Sequence, residues 1–231
     1  MRVLTGKDIL NTIKSNERFN KIVRLHKTLT KHYGPIVIAG GSMVDCFYDR
    51  DFYDVDIFIN VNDLNPKFRK EYKKDSRILD VLRARVNGEA IDIIVVNYSV
   101  QEHISRFDQN FKKIWYDGRL NIAQEAVRDI RNNEITLGSF NGPVVFFRCL
   151  KSAMKYNMTI NKEDYEIMHN YLSFLGDFKV AAKYEDYKHL FKPNATINSK
   201  LAVKTREYSK QYWDLSVEEL PSFRSFKKQV L

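Results

Sequence analysis

A short apolar run, Pro35-Ile36-Val37-Ile38-Ala39, leads directly into Gly40-Gly41-Ser42. A second, Val55 to Ile59, is preceded by Asp54 and interrupted by Asp56. Apolar runs of this length, rich in Val and Ile and bounded by turn residues, read as buried strands. The glycines let the chain turn with backbone N–H groups exposed, an arrangement that can hold a phosphate. Asp54 and Asp56 are two residues apart, so on a strand their side chains point to one face. Strands disfavour aspartate, and a buried carboxylate without a partner is costly. A divalent cation held by the pair, beside a phosphate held by the glycines, answers both points. Nucleotidyl transfer needs such a layout.

The rest of the chain falls into elements that place these residues. Residues 5–32 read as one helix with apolar positions at Ile9, Leu10, Ile13, Phe19, Ile22, Val23 and Leu29, capped by Thr5. A strand at residues 35–39 precedes a short helix at 42–48, whose N-terminus faces the glycine turn. A strand at 53–60 carries Asp54 and Asp56. Residues 62–74 are polar and read as a loop, and 75–85 as a helix. Asn87-Gly88 signals a two-residue hairpin turn within 85–97, and its second arm carries Asp92. If that arm lies beside the Asp54 strand, Asp92 is a third carboxylate at the same site. A helix at 99–107, a strand at 112–116, a helix at 122–131 and a strand at 135–137 follow. After Gly142-Pro143 the pattern is helical: 144–156, 162–175, 178–190 and more beyond 198. A domain boundary is expected near residue 140.

The 231 residues carry 38 Lys and Arg against 29 Asp and Glu, a net charge of +9 that favours a polyanionic partner such as RNA or DNA. Bases and aromatics interleave late in the chain, at Lys179, Lys183, Tyr184, Tyr187, Lys188, Phe191, Lys192, Lys200, Lys204, Arg206, Tyr208, Lys210, Tyr212 and Trp213. That mixture suits phosphate contact and base stacking, and equally an amphipathic helical core with lysines outside. Cys46 and Cys149 give no disulfide framework. No apolar run approaches a membrane span, and residues 1–8 lack the apolar core of a signal peptide. A cytoplasmic protein without a membrane partner is expected. His103, His169 and His189 lack metal-ligand spacing and read as surface or locally hydrogen-bonded residues. Asp49 and Asp51 read as solvated loop residues.

The segment Gly40-Gly41-Ser42-Met43-Val44-Asp45-Cys46-Phe47-Tyr48-Asp49-Arg50, with Asp54-Val55-Asp56, resembles the signature of the polymerase-beta-like nucleotidyltransferase superfamily. Within it the chain is most similar to the head domain of class II CCA-adding tRNA nucleotidyltransferases and bacterial poly(A) polymerases. Ala90-Ile91-Asp92, Arg106-Phe107-Asp108, Trp115-Tyr116-Asp117, Val127-Arg128-Asp129-Ile130 and Phe147-Arg148-Cys149-Leu150-Lys151 follow in the family's order, so the resemblance spans roughly residues 30–160. It implies an α+β fold: an N-terminal palm domain, 1–140, with a mixed twisted sheet flanked by helices, then a small all-helical domain, 141–231, with a possible RNA-binding surface. It implies Mg²⁺ or Mn²⁺ on Asp54, Asp56 and Asp92, which are also the catalytic residues. It places the nucleotide on Gly40, Gly41, Ser42, Asp45, Arg106, Asp108, Arg148 and Lys151, with Arg106 and Asp108 at the sugar.

The chain departs from the family where the base is read. Val44 replaces an arginine, and Lys112 an asparagine. Asn141-Gly142-Pro143-Val144-Val145 stands where the family has base-pairing acidic and basic side chains. A pocket without fixed hydrogen-bonding partners discriminates bases weakly. The expected activity is transfer of a nucleoside monophosphate from an NTP to a hydroxyl, on an RNA 3′ end such as that of a tRNA, with weak or altered base selection. Two alternatives stay open: a protein or small-molecule acceptor, and an inactive module that binds nucleotide or RNA.

Overall fold

The computed structural model describes residues 3–68, 77–140 and 143–174. The expected helix over 5–32 is two helices. α1 (Gly6–Ser15) begins with a capping box, in which Thr5 Oγ1 accepts from Asp8 N at 3.3 Å and Thr5 N donates to Asp8 Oδ2 at 2.9 Å. It ends at Asn16, whose extended backbone caps α2 (Glu17–Tyr33) while its Oδ1 accepts from Arg18 N at 2.9 Å. An asparagine satisfies more donors as a cap than inside a helix, so the chain breaks there. The same Asn16 donates through Nδ2 to Cys46 O and to Asp49 Oδ1, both at 2.9 Å.

The sheet has six strands in the order β3-β4-β2-β1-β5-β6. They are β1 (Val37–Ala39), β2 (Val55–Asn60), β3 (Ile78–Val86), β4 (Glu89–Val96), β5 (Ile114–Tyr116) and β6 (Leu120–Ile122). β2 and β4 run parallel, and the other neighbours antiparallel. The sheet is therefore mixed, as expected. Residues 78–85 correct the helix expected over 75–85, because they are most of β3. Their Leu, Arg and Ala content suits a helix in isolation. Asn87 (φ 53°) and Gly88 (φ 85°) form a turn with two positive φ angles, which folds the preceding residues back along β4. Pairing then overrides propensity. The strand β6 was not anticipated. It returns from β5 through Gly118, at φ 104°.

Between the strands lie α3 (Gly41–Phe47) and α4 (Val100–Ser105), and beyond them α5 (Gln124–Asn132) and the short strand β7 (Glu134–Ile135). One face of the sheet buries Ile38, Ile57, Ile59, Ile91, Ile93 and Val95. On the other face, Val37, Ala39, Phe58 and Val96 pack with Val100 and Ile104 of α4. α4 thus covers the far end of that face, where β2 and β4 finish. Burial of these apolar side chains at roughly 25 cal/mol per Å² is the main force holding the sheet to its helices.

The chain divides into two compact units, Met1–Asn141 and Gly142–Leu231. In the second, α6 (Pro143–Tyr156) and α7 (Lys162–Phe174) flank a two-residue strand, β8 (Thr159–Ile160), so its described part is helical except for that strand. The helices expected over 178–190 and beyond 198, with the basic and aromatic residues they would carry, lie outside the described residues. So do residues 69–74 of the expected loop and 75–76 of the expected helix. Among the described residues, no helix is long and apolar enough to cross a membrane.

Candidate nucleotide and metal site

Asp56 on β2 is in register with Asp92 on β4, and Asp54 stands one residue before β2 rather than within it. One carboxylate oxygen from each of the three lies within 4.8 Å of the others. Parallel pairing puts in-register side chains on the same face, which explains why residues 36 positions apart in sequence meet. Burial pushes the Asp92 carboxyl above the ordinary range, the Asp54 charge adds to this, and Arg83 opposes it. Arg83 on β3, paired directly with Asp92 on β4, brings its Nε to 3.6 Å of Asp92 Oδ2. Three clustered oxygen donors fit a hard divalent cation.

The glycine turn is beside these carboxylates. Gly40 has φ +90°, and a Cβ there would stand 3.7 Å from Asp56 Oδ2 and 3.6 Å from the Phe107 ring. A Cβ on Gly41 would meet nothing within 4 Å, so the backbone there faces open space. Gly40 N donates to Ile114 O at 3.2 Å, and Gly40 O accepts from Met43 N at 3.1 Å, which fixes the turn between β1 and α3. Ser42 is buried in the first turn of α3, and its Oγ has no hydrogen-bond partner among the described residues. Asp45 is also buried, at 2% exposure.

Arg106 ends α4. Its guanidinium pairs with Glu102 and lies 5.8 Å above the Tyr98 ring. Asp108 is half-buried just beyond it. This segment is braced by a neighbour that the sequence did not single out. Gly138 N donates to Asp108 O at 3.0 Å, and Ser139 Oγ donates to Arg106 O at 2.7 Å. A Cβ on Gly138 would come within 2.1 Å of Phe107 O, so only glycine permits this approach. The dipeptide Gly138-Ser139 before the domain boundary was the available signal.

Arg148 and Lys151 are both exposed on α6, three residues apart on one side of that helix of the second unit. Lys112 lies 5.7 Å over the Phe111 ring. Asp49 and Asp51 are exposed, as expected, but both pair with Arg18, at 2.5 and 2.8 Å. With Asn16, Arg18 ties the segment that leads into Asp54 to the start of α2. His103 Nδ1 lies 2.7 Å from the Tyr98 hydroxyl, a local hydrogen bond. Cys46 and Cys149 are buried and unbridged, and burial pushes the Cys46 thiol up to about 12.

No protein-family profile matches the chain, and no curated protein sequence does. Solved structures do. The Thermotoga maritima CCA-adding enzyme complexed with tRNA matches with TM-score 0.56 at 15% identity, over 92% of this chain and 55% of that one. The Bacillus stearothermophilus CCA-adding enzyme in complex with CTP matches with TM-score 0.54 at 14% identity, over 75% and 48%. A tRNA nucleotidyltransferase complexed with a primer tRNA and an incoming ATP analog matches with TM-score 0.51 at 15% identity, over 83% and 71%. The chain spans about half the length of the first two. At these identities the finding is one of fold: the mixed sheet and its helices are built as in nucleotidyltransferases of the CCA-adding kind.

Proposed function

We propose that the protein is a divalent-metal-dependent nucleotidyltransferase, which moves a nucleoside monophosphate from an NTP to a hydroxyl at an RNA 3′ end. The observation that carries this reading is the convergence of Asp54, Asp56 and Asp92 beside the Gly40-Gly41 turn. A metal ion on these carboxylates would supply charge stabilisation for an in-line displacement at phosphorus. The chain's own groups do the rest. Gly40, Gly41 and Ser42 hold the triphosphate through the turn and the start of α3. Asp92 receives the proton of the attacking hydroxyl. The new bond joins that oxygen to the α-phosphorus, and the bond to the bridging oxygen breaks to release pyrophosphate. Arg106 and Asp108 orient the sugar.

Two further features support RNA as acceptor: the net charge of +9, and tRNA in the matched complexes. Purified protein with Mg²⁺ or Mn²⁺ and each α-labelled NTP in turn, added to total cell extract, should label RNA, and Asp54→Ala should abolish the label. Label on protein or on small molecules alone would overturn the RNA reading. No label on any acceptor, unchanged by Asp54→Ala, would overturn the enzyme.

A further inference from the structure

The order of the strands separates the two sides of the carboxylate site. Across one face of the sheet the sequence of groups is Gly40 at the end of β1, Asp56 on β2, Asp92 on β4 and Arg83 on β3. In an in-line displacement, attacking and leaving oxygens lie on opposite sides of the phosphorus. If the triphosphate leaves on the Gly40 side, the acceptor arrives from the β3 side.

That side is basic. β3 is the edge strand, and Val81, Arg83 and Arg85 alternate with Leu82 and Ala84, so all three project from the face that carries Asp92. Arg83 is 69% exposed even while its Nε approaches Asp92, and Arg85 is exposed with its Nη1 3.4 Å from Gly88 O. The two guanidiniums start about 6.6 Å apart along the strand, one pleat repeat. That stride matches consecutive phosphates of an extended polynucleotide. A guanidinium is also the side chain best shaped to grip a phosphate through paired N–H groups.

We propose that Arg83 and Arg85 hold the last phosphates of the acceptor strand, so that the terminal 3′ hydroxyl is delivered over Asp92. This rests on the nucleotidyltransferase reading above and names its acceptor chemistry: a single-stranded phosphodiester with a free 3′ end. Arg83 has two anions within reach. It pairs with Asp92 in the absence of acceptor and with the incoming phosphate in its presence, which releases Asp92 for the hydroxyl.

Binding separates this inference from the activity on which it rests. The dissociation constant of a single-stranded 3′-hydroxyl RNA is measured by fluorescence anisotropy over a range of salt, with Mg²⁺ and no NTP. The R83Q/R85Q double variant should bind about ten- to a hundredfold more weakly, and its log–log salt slope should shallow by about 1.4, the share of two phosphates on a single strand. R83K/R85K should keep the slope. On the wild-type protein, an RNA with its last two linkages as neutral methylphosphonates should bind with the same deficit. The double variant should not distinguish it from ordinary RNA. Wild-type affinity and slope in R83Q/R85Q, or no effect of the methylphosphonates on wild-type protein, would overturn the proposal. Loss of labelling by Asp54→Ala would stand or fall independently.

Discussion

Asp56 and Asp92 face each other across the parallel pair β2 and β4, in register, with Asp54 joining them from the residue before β2. Like charges held this close raise each other's free energy until a cation arrives. Asp56→Asn and Asp92→Asn should therefore each weaken Mn²⁺ binding, read by calorimetry, by about tenfold or more. Transfer activity should fall by about a thousandfold in either variant and vanish on chelation. Without metal, neither variant should melt below the wild type. A lower metal-free melting temperature in both would show the carboxylates to be structural.

Gly40 and Gly41 should respond differently to the same substitution. Gly40 has φ +90°, which costs an L-residue about 1–3 kcal/mol, so Gly40→Ala should lower stability by that amount. Gly41→Ala adds a methyl in open space at a helical position, so denaturant midpoints should hold or rise slightly. If the triphosphate occupies that space, the Gly41 methyl should weaken ATP binding despite an intact fold. Wild-type ATP affinity in Gly41→Ala would move the triphosphate elsewhere.

Asp129 serves the fold. Its buried carboxylate accepts from Thr136 N at 3.0 Å and Thr136 Oγ1 at 2.9 Å, and Arg128 lies 3.2 Å away. Asp129→Ala would remove the partner of the part-buried Thr136 N–H. A loss of about 2–4 kcal/mol is expected by urea denaturation. Metal affinity per folded molecule should be unchanged.

His26 and His103 set an acid limit on stability. Burial lowers both below the ordinary histidine value, and Arg106 lowers His103 further. The unfolded chain therefore binds protons that the folded chain resists, so stability is lost as pH falls through about 6.5 toward the folded values. The melting temperature should drop on acidification through that window. In His103→Gln it should drop less. An equal drop in both proteins would assign the effect to other groups.

Gly40-Gly41, the strand with Asp56 and the Asn87-Gly88 turn were legible because each is a local requirement. A φ of +90° as at Gly40 favours glycine, a buried strand favours Val and Ile, and a tight hairpin favours Asn-Gly with its paired positive φ angles. The helix misassigned over 75–85 shows where such reading ends. Leu82, Arg83 and Ala84 are good helix formers, and only pairing with β4 makes them a strand. The division of 5–32 at Asn16 depended likewise on Cys46 and Asp49, which lie about thirty residues away in sequence.

The sequence by itself determined the chemistry available: three aspartates, a glycine turn and a basic balance. Tertiary structure decided their arrangement. β2 and β4 run parallel and in register, so Asp92 joins Asp56, and the strand order leaves Gly40 on one side of the carboxylates and Arg83 on the other. Side-chain periodicity fixes which face a residue takes, but which strands become neighbours follows from burying Ile57, Ile59, Ile91 and Ile93 together. That burial is a property of the whole domain, and no single segment carries it.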